Sequence, residues 1–118
     1  MLFRPIIVFL VCLLGLAGNA VAHSKMAKSS PAQGSTVKAG LSEIQLGFSK
    51  PVRVMLVKVK NIDGKFDVKA DYKPAKTFKA SFPVKVMTLA TGAHEVQWTA
   101  VAKDGHVMKG TLSFKVVE

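Results

Sequence analysis

Four stretches of the chain alternate apolar and polar residues with a period of two. Ile44, Leu46 and Phe48 stand between Glu43, Gln45, Gly47 and Ser49. Phe78, Ala80 and Phe82 stand between Lys79 and Ser81, and Val96, Trp98 and Ala100 between Glu95, Gln97 and Thr99. Leu112, Phe114 and Val116 alternate with Thr111, Ser113 and Lys115. Such alternation turns one face of an extended strand to a core and the other to water. Residues 52–59 are apolar and β-branched as well, but their inward face is ambiguous. Turn-forming residues separate the runs: Pro31 to Gly40, Ser49-Lys50-Pro51, Asp63-Gly64, Thr91-Gly92 and Asp104-Gly105. No stretch has a helical period. The pattern predicts one all-β domain, a β-sandwich or Greek-key barrel, with Trp98 and the phenylalanines in its core.

The first 22 residues do not fit that pattern. Arg4 supplies a positive start, residues 6–16 are almost unbroken in their apolarity, and Ala20-Val21-Ala22 is an A-x-A cleavage signal. We read residues 1–22 as a signal peptide cut after Ala22, which leaves 23–118 as the mature domain. The 118 residues less these 22 give 96, enough for one small domain. Cys12, the single cysteine, leaves with the leader. The mature chain then has no disulfide and no thiolate, so its core rests on apolar packing. Zinc, iron–sulfur and blue-copper sites built on cysteine are excluded.

Loss of Arg4 lowers the net charge from +10 to +9. The mature cations are lysines except for Arg53. Nucleic-acid binders favour arginine forks and aromatic platforms, so no nucleic-acid partner is expected. A lysine-rich surface suits an acidic partner instead. Nucleophilic catalysis has no support: there is no G-x-S-x-G elbow and no Ser/His/Asp set that stands out. Asp63, Asp67 and Asp71 lie in a lysine-rich segment that reads as a solvated loop.

The histidines carry more. Cleavage after Ala22 makes His23 the first residue, with an α-amine and a ring Nδ1 that can close a chelate on one metal. The reference pKa of an α-amine is about 7.7–8.0, so a metal can displace its proton near neutral pH. In Asp104-Gly105-His106, residues two apart on an extended segment point the same way, so carboxylate and imidazole can reach one ion. His23, Asp104 and His106 together offer an amine, two imidazoles and a carboxylate. That set suits tetragonal Cu(II) better than Mg or Ca, and Zn prefers a tetrahedron.

These residues resemble a known family, the periplasmic copper-resistance CopC family, over nearly all of the mature chain. Four pieces carry the resemblance. The first is an N-terminal His after an A-x-A site, then Ser29-Ser30-Pro31-Ala32 with Gly34. The second is Ile44-Gln45-Leu46-Gly47-Phe48-Ser49-Lys50-Pro51-Val52. The third is Gly92-Ala93-His94-Glu95-Val96-Gln97-Trp98. The fourth is Asp104-Gly105-His106-Val107-Met108-Lys109-Gly110, followed by a strand. The resemblance implies a seven-stranded Greek-key β-barrel or sandwich, cupredoxin-like or immunoglobulin-like. It implies one Cu(II) ion per mature chain, held by His23, Asp104 and His106, in a periplasmic protein that stores or carries copper.

The chain departs from that pattern at several points. Some members carry a Met-rich loop for Cu(I), but residues 58–83 contain no Met, which argues against such a site here. Met108, two residues past His106, is the one methionine expected as a weak extra contact. Lys50 replaces an acid common after Phe-Ser, and Val107 replaces a proline. His94 stands where Tyr is common and reads as structural or exposed rather than as a ligand. A filled copper plane leaves little room for a small-molecule substrate, so a carrier is expected and not an enzyme. The alternatives are a small copper oxidase using an N-terminal histidine, and a metal-free basic interaction module. The expected partner, besides copper, is an inner-membrane copper transporter.

Overall fold

The computed structural model describes residues 26–118. The leader and His23 lie outside the described residues. Seven strands form: β1 (Thr36–Lys38), β2 (Glu43–Asn61), β3 (Phe66–Val68), β4 (Ala70–Asp71), β5 (Lys79–Val86), β6 (Gly92–Ala102) and β7 (Val107–Val117). No helix forms among the described residues. The strands make one sheet in the order β1-β7-β6-β2-β5-β4, with β3 also paired to β2. The all-β, seven-stranded expectation holds.

The sheet wraps a core because β2 is bent. Its first part pairs with β5, from Glu43↔Lys85 to Gly47↔Ser81. Its last part pairs with β6, from Val52↔Ala102 to Asn61↔His94. Trp98 is opposite Val57, nine positions after Phe48. In a straight strand those positions would be about 30 Å apart. Yet the Phe48 and Trp98 rings meet edge to face with centroids 5.0 Å apart. The bend falls between Gly47 and Val52, where the β5 register shifts. Ser49-Lys50-Pro51, expected as a turn, is this corner within a continuous strand. Pro51 suits it, since it has no N–H to give to a ladder.

The segment before β1 closes the wrap. Met26 bridges Phe48 and Ser30 bridges Gln45, both antiparallel. Farther on, the Gly34 amide donates to the Ser113 carbonyl at 2.7 Å, and β1 runs parallel to β7. The chain thus crosses from the first half of β2 to the outer edge of β7. Gly47 permits the approach: a Cβ there would lie 2.8 Å from the Lys28 carbonyl carbon.

Ile44, Leu46, Val96, Ala100 and Leu112 are fully buried, with Phe48, Trp98, Phe114 and Val116 nearly so. Three of the four alternating runs therefore face as read. The fourth is only half right. Phe82 is buried, but Phe78 is 38% exposed and Ala80 is exposed too. Phe78 precedes the first residue of β5, beyond the sheet that covers the core. The ambiguous 52–59 run is explained by a β-bulge. Val54 pairs with Ala100 and Leu56 with Thr99, so Met55 is an extra residue. The inward set changes from Val52 and Val54 to Val57 and Val59, and Leu56 is left 47% exposed.

Candidate metal centre

β6 and β7 form a hairpin whose last pair is Val101↔Val107. The Ala102 amide donates to the His106 carbonyl at 2.9 Å, and the Gly105 amide donates to the Ala102 carbonyl at 3.0 Å. Gly105 takes φ +90°, a conformation that side chains with a Cβ rarely adopt. That choice turns the chain so that Asp104 and His106 meet.

Asp104 grips His106 twice. Its Oδ1 accepts the His106 backbone N–H at 3.0 Å, and its Oδ2 lies 2.7 Å from His106 Nδ1. The sequence expectation that the two side chains converge holds, but through an Asx turn and not through the pleat of a strand. The two hydrogen bonds hold the Asp104 carboxyl below its ordinary value of 3.8, the His106 backbone N–H contributing most and the His106 ring next. An ionised carboxylate on Nδ1 selects the tautomer with its proton on Nδ1 and its lone pair on Nε2. Both side chains are well exposed, 62% for Asp104 and 64% for His106. The pair can therefore be reached from solvent and offers one imidazole and one carboxylate.

Two groups do not make a metal site by themselves. Among the described residues there is no cluster of three or more His, Cys, Asp or Glu. Residues 26–30 run antiparallel to the first half of β2. Val52 pairs with Ala102, the base of the Asp104–His106 turn.

The other candidates lie elsewhere. His94 is buried eight residues before Ala102 on β6, about 27 Å along the strand. Its Nδ1 is 3.0 Å from the Gly92 carbonyl and its ring stacks on Phe114. Met108 is 8% exposed and belongs to the core cluster, so its sulfur packs among apolar side chains. Asp63, read as a solvated loop residue, accepts the Ala93 amide at 2.9 Å through Oδ2. It ties the β2–β3 turn to the start of β6.

Comparison with known proteins identifies the family. The CopC domain model matches residues 26–117. The chain is 29% identical over 112 residues to Copper resistance protein C of Escherichia coli, covering 87% of this chain and 88% of that protein. It is 28% identical over 118 residues to Copper transport protein CutJ of Bacillus subtilis (strain 168), covering 93% of this chain but only 21% of that protein. Among solved structures it is similar to PcoC, a methionine-rich copper resistance protein from Escherichia coli. There the TM-score is 0.61 with 26% identity, over 80% of this chain and 99% of that one. A CopC-domain match that runs from the first described residue almost to the last shows that this chain belongs to the CopC family.

Proposed function

We propose that the mature protein binds one Cu(II) ion and stores or carries it in the periplasm, as part of copper homeostasis or resistance. Residues 1–22 are removed on export, and His23 becomes the N-terminus. The ion takes the His23 amine and ring Nδ1, the His106 ring, and the Asp104 carboxylate, which gives up its contact with His106 Nδ1 to reach the metal. Three nitrogens and one oxygen suit the tetragonal preference of Cu(II). Met108 and His94 are outside the set. The observation that carries this reading is the exposed, doubly bonded Asp104–His106 turn.

The chemistry is carriage. Asp104 orients the imidazole before metal arrives, which lowers the ordering cost of binding. The names of these relatives, copper resistance and copper transport proteins, support copper as cargo. The match covers only 21% of CutJ, which supports a transport protein as partner, for there the matched segment is joined to a much longer chain. That partner is an inner-membrane copper transporter.

Titration of the mature protein with Cu(II), followed by intact mass and electron paramagnetic resonance, tests the reading. One equivalent with a nitrogen-rich tetragonal spectrum is expected. A His23→Ala variant that binds as tightly as wild type would sink the assignment. A residue added before His23 should also weaken binding, because the free amine is lost.

A further inference from the structure

The corner of β2 gathers charge as well as metal donors. Val52 pairs on one side with Ala102 and on the other with Lys79. The segment before β5 is tied to the same place: the Tyr72 hydroxyl donates to the Val54 carbonyl at 2.7 Å, and the Ala75 amide donates to it at 2.9 Å. Arg53 Nε donates to the Ala75 carbonyl at 3.1 Å. Residues 49–54, 72–79 and 102–108 therefore form one end of the domain. That end carries Lys50, Arg53, Lys73, Lys76, Lys79 and Lys103. Of the seven acidic residues in the chain, only Asp104 is there, and it is engaged by His106.

The other six acids lie outside these three segments. Glu43 pairs with Lys85 and Asp71 also with Lys85, at the far end of β5. Asp67 and Glu95 both flank Lys60, and Asp63 caps Ala93. Among the described residues none of the six cations at the corner has a carboxylate partner; the ion pair present is His106–Asp104. Two of the cations flank an aromatic ring. The Arg53 guanidinium lies 5.8 Å and the Lys103 ammonium 6.0 Å from the centroid of the exposed Phe78 ring. Cation–π contacts of this kind hold both charges beside an apolar surface.

We propose that this cationic end is a docking surface for the carboxylate-rich face of the protein that exchanges copper with this chain, with Phe78 as its apolar contact. The inference rests on the copper reading, because it is the metal turn that this surface surrounds. A partner drawn in by Lys50, Lys76, Lys79 and Lys103 meets the Asp104–His106 turn first. Docking by charge thus places donor and acceptor ligands face to face, and the bare lysines set the rate of encounter. A protein supplies such ligands, whereas a lipid headgroup region does not.

The test uses the mature protein and poly-L-glutamate as a carboxylate probe at low ionic strength. Lys76→Glu/Lys79→Glu/Lys103→Glu is compared with Lys38→Glu/Lys60→Glu/Lys115→Glu, which changes the net charge equally at other places. The corner triple should weaken binding at least tenfold and the other triple less than threefold, with thermal unfolding confirming that both fold. Equal weakening would show that only net charge matters and would overturn the proposal. Tighter binding to phosphatidylglycerol vesicles than to poly-L-glutamate would overturn it in favour of a bilayer. His106→Ala should abolish Cu(II) uptake and leave probe affinity unchanged, so failure of the copper reading and failure of the docking reading are seen separately.

Discussion

Trp98 occupies the space above Gly110. The two are opposite one another on β6 and β7, and a Cβ at Gly110 would lie 2.7 Å from Trp98 Cε2 and 3.0 Å from its Nε1. The indole in turn meets Phe48 across the core, which is the contact that holds β2 bent. Gly110 is therefore a packing residue, and its lack of a side chain is what the ring requires.

Gly110→Ala must displace an indole in a filled core. Overpacking of this sort costs about 1–3 kcal/mol. For a domain of this size that lowers the Tm by roughly 4–8 °C per kcal/mol. Thermal unfolding checks it; an unchanged Tm would show that the ring has room to move.

The bulge at Met55 reverses what simple alternation would say about its neighbours. Extending Val52 and Val54 by twos would bury Leu56, whereas Val57 is the buried residue at 9% exposure. Leu56→Ala should stay within about 0.5 kcal/mol of wild type. Val57→Ala should cost about 1–3 kcal/mol through lost burial and an incompletely closed cavity. Urea unfolding of the two variants distinguishes the registers, and the opposite order would place the bulge elsewhere.

Asp104 and His106 should separate in their effects on copper. His106→Ala removes a nitrogen donor and should abolish tight Cu(II) binding. Asp104→Asn keeps the shape but loses the charge, and binding should weaken by about 10–100-fold, the range for groups that orient or support a ligand. His94→Phe should leave the stoichiometry unchanged, because His94 lies at the far end of β6. Competition titration against a chelator measures all three.

Without metal, the same turn has a pH signature. The Asp104 carboxyl is held below 3.8 by the His106 backbone N–H first and the ring second. A lowered acid pKa means that the stabilising contribution is present above the ordinary carboxylate value. It is lost as pH falls through the lowered one. The Asp104 side-chain carboxyl carbon resonance should therefore show its protonation step only below pH 3.8. Asp104→Asn should remove that transition.

Tyr72 gives a test of the segment that carries the lysines. Burial pushes its hydroxyl up from 10.0 to about 12, and that hydroxyl donates to the Val54 carbonyl. A raised phenol pKa stabilises the fold below pH 10, and the contribution is lost as pH rises through 12. Tyr72 is the single tyrosine, so absorbance near 295 nm should report one phenolate with a midpoint near 12. A midpoint at 10 would show that residues 72–79 do not rest on β2.

Much of this was legible in the residues. Alternation at 44–48, 96–100 and 112–116 named the inward faces, because strand side chains repeat every two residues wherever the ladder is regular. The Asp-Gly-His triplet announced a turn carrying two donors. Residues 52–59 hid their face because one extra residue changes the phase without changing the composition. Phe78 misled for a related reason: its period matches β5, but its position lies past the end of the sheet.

What the sequence by itself determined is the strand pattern, the turn chemistry at Gly105 and the inventory of nitrogen and oxygen donors. Those are local properties, written in side-chain period and backbone preference. Only the tertiary structure decided that β2 bends at residues 48–52. That bend folds a strand of 19 residues back over one core and sets Val52 between Lys79 and Ala102. It brings the Asp104–His106 turn and six cations to one end of the domain. The reason is physical: contacts between residues dozens of positions apart depend on which apolar faces can be buried together, and no local period encodes that.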